Sequence, residues 1–298
     1  GSLGFWRISL GVQDFDSTVQ DVINRHQTFE QTERLVDLAR NAQFRSVNLD
    51  LIYGLPKQTL STMQETIEKV LKIRPERIAL YSFANIPWKY PFQRRFQDQD
   101  IPSGNEKISL YIEARHRLES AGYHSIGMDH FALPSDELFS ARESKVLHRN
   151  FMGYTTQKDA QMIAAGVSGI SMLEGIYTQN KKTLPSYYAD LKDGRLPIER
   201  GIILSHDDKL RRRIIMELMC QFEIDIRKME RDFQMNFESY FILELQEIRK
   251  LERKNILEVT SNKIRLTERG EFFVRNIAMI FDAYLKDFEG KQLFSKTI

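Results

Sequence analysis

Between Arg7 and Gln13 the chain alternates: Ile8, Leu10 and Val12 fall between Arg7, Ser9 and Gly11. Period two predicts a strand that ends near Gln13. Two helical stretches follow. The second opens at Thr28 with Gln31 three residues on, a capping-box pattern, and carries Phe29, Leu35, Val36 and Ala39. SVNLDLIYG predicts the next strand, closed by Gly54-Leu55-Pro56. A helix from near Ser61 places Met63, Ile67, Val70 and Leu71 on one face, and Pro75 ends it. RIALYSFA, residues 77–84, is a third strand. A βαβαβ order predicts a parallel sheet with right-handed crossovers, an α/β fold.

Pro87, Pro91 and Pro102 then break up a loop rich in Gln, Arg and Asp. A helix is expected from about Glu106 to Ala121, with Gly122 placed to end it. YHSIGMDHFA, residues 123–132, reads as a strand. Residues 159–176 are rich in small side chains, which lets a backbone come close to a ligand or another element, the alternative being close helix packing. Composition shifts near residue 200, so domains are expected at 1–200 and 201–298. From Asp207 the pattern is helical, with Leu210, Ile214, Ile215, Leu218 and Met219 in one stripe, and two further helices run to about Lys254. ILEVTSNKIRLTERG then predicts a hairpin turned at Ser261-Asn262, and a last helix passes through Phe272, Phe273, Ile277 and Ile280. Three helices, a hairpin and a helix make a winged-helix-like module.

The two periods both fail between residues 127 and 157. GMDHFA, a spacer and LHRNFMGYTTQ crowd Asp129, His130, His148, Arg149, Asn150, Tyr154, Thr155, Thr156 and Gln157 among few apolar residues. Ionisable side chains this dense in a globular sequence line a site more often than they form a solvated loop.

Composition narrows the classes. The 298 residues are 42% hydrophobic and 28% charged, enough for a sizeable core and too apolar for disorder. A net charge of +2 gives no bulk argument for nucleic acid or an anionic membrane surface. The single cysteine, Cys220, allows no intrachain disulfide and fits a reducing cytoplasm. The longest apolar run, Phe272 to Leu285, is too short to span a bilayer and is broken by Arg275 and Asp282. No basic-then-apolar leader is present at the N-terminus. Gly1-Ser2 reads as a cloning remnant, and GFWRISLGVQ follows at once as a core strand, so the sequence is expected to begin inside a fold.

Parallel strands deliver side chains to their C-terminal ends, where α/β sheets and barrels hold their sites. Gln13 ends the first strand, Asp50 lies late in the second, and Ala84 follows the third. An acid at Asp50 can bind the two hydroxyls of a ribose, and a turn-forming or capping role is the plain alternative. Gly54-Leu55-Pro56 has neither a Walker lysine nor GxGxxG, so it is no phosphate loop. His130 and His148 have no second ligand at metal-binding spacing beyond Asp129, so no metal site is expected. Arg149 can fork onto a carboxylate with two hydrogen bonds, or lie on the surface. Cys220, on an apolar stripe, reads as a buried structural thiol. Arg211, Arg212 and Arg213 point in different directions on a helix, which favours solvated faces and local ion pairs over a DNA contact.

GVQDF (11–15), NLDLIYGLPKQT (48–59), GMDHFA (127–132), LHRNFMGYTTQ (147–157), GVSGIS (166–171) and YTQN (177–180) together resemble the oxygen-independent coproporphyrinogen III oxidase family of radical S-adenosylmethionine (radical SAM) enzymes. The resemblance runs from Gly4 to the C-terminus. Related haem-binding chaperones share GVQ and DLIYGLP but not GMDHFA or LHRNF with GYTTQ. The family implies a partial (β/α) barrel followed by a small helical C-terminal domain. It implies a [4Fe–4S] cluster held by three cysteines, which splits S-adenosylmethionine to a 5′-deoxyadenosyl radical. That radical takes a hydrogen from a propionate β-carbon, and loss of CO₂ and an electron leaves a vinyl group, on two of the four propionates of coproporphyrinogen III. By motif position, Gln13, Arg25, Asp50, Ala84 and Ile170 would contact S-adenosylmethionine. Asp129, His130, His148, Arg149 and Asn150 are substrate candidates, with Arg149 the leading propionate partner.

Two departures stand out. Trp6 takes the place of a smaller polar residue. CxxxCxxC is absent, and one cysteine cannot build a three-thiolate cluster site. The family's N-terminal region carries that motif and the first barrel strands, so an unpaired edge is expected near residues 8–12 and this chain alone is expected to be inactive. An electron donor and acceptor are implied partners; nucleic acid and membrane are not. The alternatives are a haem-binding chaperone of the same superfamily and a winged-helix nucleic-acid binder.

Overall fold

Five strands, β1 (Arg7–Gln13), β2 (Ser46–Tyr53), β3 (Arg77–Ser82), β4 (His124–Gly127) and β5 (His130–Ala132), form one open sheet in the order β1-β2-β3-β5-β4. The computed structural model describes residues 4–158 and 160–288, so Gly1-Ser2 lies outside the described residues. β1, β2 and β3 run parallel, as the βαβαβ pattern predicts, while β5 lies antiparallel to β3 and to β4. Among the described residues β1 pairs with β2 alone and leaves an open edge at residues 7–13. The connecting helices are α1 (Ser17–Ile23), α2 (Phe29–Asn41), α3 (Leu60–Ile73), α4 (Gly104–Ser120) and α5 (Glu137–Glu143). Capping boxes open α2 at Thr28, α3 at Thr59 and α4 at Ser103, so each first turn has side-chain acceptors for its orphan amides.

Alternation along β2 separates the two faces of this sheet. Val47, Leu49 and Leu51 are fully buried and meet Val36, Met63, Ile67, Val70, Leu110, Ala114 and Leu118 of the helices. Each such side chain contributes about 1.5–3 kcal/mol of burial energy. Strand register puts Ser9 and Gly11 of β1, Asn48 and Asp50 of β2, Ala79 and Tyr81 of β3, and His130 of β5 on the opposite face. The N-terminal ends of the strands are tied by a buried network. Arg77 donates to Asp136 at 2.7 Å and Glu137 at 2.9 Å, while Ser46 donates to Asp136 at 2.8 Å. Asp136 also caps α5 through the Leu138 amide.

Two hairpins here differ from expectation. Residues 123–132 are a hairpin and not one strand, because Met128 takes φ +43 and turns the chain between β4 and β5. The stretch after it is also paired: β6 (His148–Asn150) and β7 (Gly153–Thr155) form a two-stranded hairpin with Phe151 and Met152 exposed at its tip. Six residues of strand are too few for the period of two to register in the sequence.

The chain divides into two compact units, one ending at Ser144 and one beginning at Lys145. The composition shift near residue 200 falls inside the second unit. There Tyr154 Oη donates to the Met219 carbonyl at 2.7 Å and Gln221 donates to the Leu147 carbonyl at 3.2 Å. These bonds tie residues 147–155 to the helix after position 200. The rest of that unit contains β8 (Ile170–Leu173), β9 (Ile176–Asn180) and β10 (Ile198–Ile203), an antiparallel sheet, with α6 (Leu184–Lys192) between β9 and β10. The small-residue run therefore feeds a strand and not a helix: Asn180 Nδ2 donates to the carbonyls of Ala164 and Gly166 and pins its loop.

α7 (His206–Gln221) buries Leu210, Ile214 and Leu218, as the stripe predicts. α8 (Ile226–Phe233), α9 (Phe237–Tyr240) and α10 (Ile242–Glu252) follow. β11 (Glu223–Asp225), β12 (Leu257–Val259) and β13 (Lys263–Leu266) form a sheet in the order β11-β13-β12, so the expected hairpin gains a third strand. The last helix comes in two pieces, α11 (Glu268–Glu271) and α12 (Val274–Met279), parted at Phe272-Phe273.

Candidate functional site

The polar face of the five-stranded sheet carries a cluster built by β1 and β2. Asp50 accepts hydrogen bonds from Asn48 Nδ2 at 2.7 Å and Ser9 Oγ at 3.1 Å, and Asn48 also reaches Ser9 at 2.9 Å. Burial pushes the Asp50 carboxyl above its ordinary 3.8, and the bonds from Asn48 and Ser9 pull against that rise. Asn48 Oδ1 is buried with no protein partner among the described residues, an acceptor left over in the cluster. Gly11 pairs in register with Asp50. A Cβ there would lie 2.9 Å from Gln13 Nε2 and 3.2 Å from Arg25 Nη2, so the missing side chain is what lets both groups lie over the strand. Arg25 donates to the Gly11 carbonyl. Gln13 takes φ +71 at a register shift that turns the end of β1.

The floor of this end is a second, fully buried cluster. Asp14 accepts from the Asp16 amide at 2.7 Å, Thr66 Oγ1 at 2.7 Å and Gln58 Nε2 at 2.6 Å. Gln58 in turn accepts from the amides of Gly54 and Leu55. GVQDF and GLPKQT are thus locked to α3 through side chains whose partners are 44 and 52 residues away. Burial raises the Asp14 carboxyl above 3.8, and the hydrogen bonds from Asp16, Thr66 and Gln58 counter it.

The end of β3 is fixed by two groups from later in the chain. Gln93 donates to the Ala84 carbonyl at 3.0 Å and accepts from the Ile86 amide at 2.6 Å. Lys107 Nζ, on α4, donates to the Phe83 carbonyl at 2.6 Å, and its stem runs over Gly54, where a Cβ would come within 2.6 Å of it. Burial lowers the Lys107 ammonium below its ordinary 10.5. Neither Gln93 nor Lys107 is marked out in the sequence, because each acts on backbone carbonyls that only the folded chain brings near.

The remaining candidates are placed as follows. His130 is on the polar face, in register with Ala79, and its ring meets Tyr81 edge-on at 5.8 Å. Asp129 lies at the adjoining turn, where its carbonyl accepts the Leu80 amide. Both belong to the first unit, as do Gln13, Arg25, Asp50 and Ala84. His148, Arg149, Asn150 and Ile170 belong to the second. On β6, Arg149 faces Tyr154 in register, its guanidinium carbon 5.5 Å from that ring, with Nε buried and unpartnered among the described residues. Asn150 Oδ1 accepts the Met152 amide and shapes the hairpin tip. Ile170 begins β8. Trp6 is half exposed, and its carbonyl accepts the Arg45 amide.

These groups fit the nucleoside half of S-adenosylmethionine. A carboxylate and a spare amide oxygen can accept hydroxyl protons, and a glycine leaves room beside Gln13 and Arg25. A [4Fe–4S] cluster does not fit, since the chain has one cysteine. Cys220 is buried and its thiol is pushed up to about 12 by burial, which Arg149 opposes. No group of three His, Cys, Asp or Glu side chains among the described residues could hold a metal ion. No helix among them is long and apolar enough to cross a membrane.

Residues 2–70 match the family model of the radical SAM superfamily, and residues 204–273 match that of the HemN C-terminal domain. The oxygen-independent coproporphyrinogen III oxidase of Thermostichus vulcanus is 44% identical over 99% of this chain and 91% of its own. That of Synechocystis sp. is 43% identical over 99% of this chain and 64% of its own. A solved structure described as coproporphyrinogen III oxidase (HemN) from Escherichia coli, a radical SAM enzyme, superimposes with a TM-score of 0.91 at 41% identity, covering 95% of this chain and 65% of that one. This chain spans about 64% of the length of several of the curated relatives it matches.

Proposed function

The chain belongs to the oxygen-independent coproporphyrinogen III oxidase family, and from that membership we propose that it forms the nucleoside-binding face and part of the substrate site of an enzyme that makes protoporphyrinogen IX from coproporphyrinogen III. In that reaction each of two propionates loses a β-hydrogen and CO₂, gives one electron to an acceptor, and becomes a vinyl group. S-adenosylmethionine, when bound, would supply the hydrogen-abstracting 5′-deoxyadenosyl radical, and the [4Fe–4S] cluster that would reduce it would need thiolates this chain lacks. The observation that carries the reading is the cluster of Asp50, Asn48 and Ser9 beside Gly11 on the polar face of the sheet.

Asp50 accepts from the ribose hydroxyls, and Asn48 and Ser9 hold its carboxylate in place. Gln13 and Arg25 flank the nucleoside across Gly11. The backbone at Ala84, fixed by Gln93, supports the base, and Ile170 is the apolar cofactor contact that the motif position implies. Arg149 forks onto a propionate, with Asp129, His130, His148 and Asn150 as the other substrate groups. The chain cannot hold the cluster with its own thiols, so it is inactive alone. The domain boundary near residue 200 separates the barrel part from the HemN-type helical part. The electron donor and acceptor are separate molecules, neither nucleic acid nor membrane is a partner, and the protein works in the cytoplasm.

A chimera joining the cluster-bearing N-terminal region of a full-length family member to this chain tests the proposal. Anaerobic CO₂ release from coproporphyrinogen III is expected, and Asp50→Ala should lower it at least about tenfold, as loss of a charged hydrogen-bond acceptor does. Cleavage of S-adenosylmethionine with no CO₂ release would overturn the reading.

A further inference from the structure

α7 has two working faces. Leu210, Ile214 and Leu218 bury one in the core of the second unit. Lys209, Arg212, Arg213, Met216 and Cys220, spaced by three and four residues, line a cleft of about 400 Å³ on the other. Leu147 and His148 at the start of β6, Glu223 and Asp225 of β11, and Lys228 and Phe233 of α8 add to its walls. Six of the lining residues are Lys or Arg and three are carboxylates, and the carboxylates are already engaged. Glu217 accepts from Arg213 at 2.9 Å. Glu223 binds Lys145 at 3.0 Å, Lys263 at 3.2 Å and Arg265 at 3.0 Å. Asp225 caps α8, accepting the Lys228 amide at 3.0 Å.

Lys158, Lys209, Arg212 and Lys228 are left without an ion pair among the described residues. Arg212 is nevertheless held in place, its guanidinium carbon 5.3 Å from the Tyr177 ring and Nη2 3.5 Å from Met172 Sδ. Lys209 Nζ runs beside Gly175, where a side chain would come within 3.5 Å of it. Uncompensated cations around a concave space that also presents Leu147, Met216 and Phe233 match a ligand with several carboxylates on an apolar body. A nucleic-acid backbone is the poorer match, since it would follow an open basic surface and not a walled cleft with apolar lining.

We propose that this cleft binds an amphipathic oligocarboxylate through Lys209, Arg212 and Lys228. Resting on the function proposed above, the molecule is the tetrapyrrole, and the cleft takes propionates that the reaction leaves intact. The probe is coproporphyrin III, the stable oxidised tetracarboxylate, titrated by fluorescence into the full chain. The double variant Lys209→Gln/Arg212→Gln is expected to weaken binding about tenfold or more, because each lost contact is a charged hydrogen bond. Arg249→Gln/Lys250→Gln, exposed on α10, should leave it unchanged. Lys228→Gln, which removes a cation without touching α7, should weaken binding too and stands in if the double variant fails to fold. Equal affinity in the cleft variants, an equal loss in the α10 control, absence of binding, or displacement of the porphyrin by a short DNA duplex would overturn the proposal. The two readings fail separately. CO₂ release by the chimera with unaltered porphyrin binding in the cleft variants sinks the cleft alone. Cleft-dependent binding with no CO₂ release sinks the oxidase reading alone.

Discussion

At the residue scale, position was legible and support was not. Gln13 ends β1, Asp50 lies in the second half of β2 and Ala84 follows β3, as read from alternation and the Gly-Pro punctuation that marks where strands stop. What holds those ends could not be read, since Asp14, Gln58 and Thr66 look in the sequence like any polar residues near a turn. In the fold they are nearly inaccessible, and Asp14 is fully buried with three donors on its carboxylate. Its raised carboxyl places a sign on the pH response. Burial favours the protonated form in the folded state, so the cost of the charge is absent below about 3.8 and grows as pH rises through the folded value. The charge is tolerated because Gln58 Nε2, Thr66 Oγ1 and the Asp16 amide all donate to it. Asp14→Ala leaves the Thr66 hydroxyl and the Asp16 amide without this acceptor and the Gln58 amide with the Ile52 carbonyl alone. A loss of about 3 kcal/mol is expected, read as a fall in urea midpoint at neutral pH. A change within about 0.5 kcal/mol, the range of a surface substitution, would show that the cluster is not what fixes GVQDF to α3.

At the element scale, the sequence yields long periodic elements and loses short paired ones. α2, α3, α4 and α7 carry enough turns for their stripes to stand out, and capping boxes mark the starts of all four. β4 with β5 and β6 with β7 are strands of three or four residues whose pairing is settled by a turn at Met128 and by an exposed tip. β11 is also short, and its contribution is electrostatic. Glu223 on that strand gathers Lys145, Lys263 and Arg265. Burial works to raise its carboxyl, but the hydrogen bonds from Lys145, Arg265 and Lys263 win and bring it from 4.5 down to about 2. A lowered carboxyl stabilises the fold above its unfolded value and loses that stabilisation as pH falls from about 4.5 to about 2. Glu223→Gln should therefore cost about 2 kcal/mol near neutrality, seen as a lower melting temperature. The gap between variant and parent should narrow as the melts are repeated from about pH 6 down to about pH 3. A gap that stays constant across that range would assign the loss to packing instead of charge.

At the scale of the whole molecule, a motif continuous in sequence is divided between two compact units, GMDHFA in the first and LHRNFMGYTTQ in the second. Composition could not foresee this, because what joins residues 147–155 to α7 is a pair of side-chain bonds to backbone carbonyls, from Tyr154 to Met219 and from Gln221 to Leu147. Cysteine arithmetic does reach this scale from sequence alone. A three-thiolate cluster needs three deprotonated cysteines close together, and this chain has one. The structure adds that Cys220 is buried, and that burial keeps its proton on to about pH 12, so it is poorly suited even to lend a single thiolate. Anaerobic reconstitution with iron and sulfide should consequently leave far fewer than the roughly three to four irons per chain of a loaded cluster. No 5′-deoxyadenosine should form from S-adenosylmethionine under a strong reductant. Iron at that stoichiometry, reducible and coupled to cofactor cleavage, would mean that other ligands assemble a cluster here, and the expectation that the chain is inactive alone would fall with it.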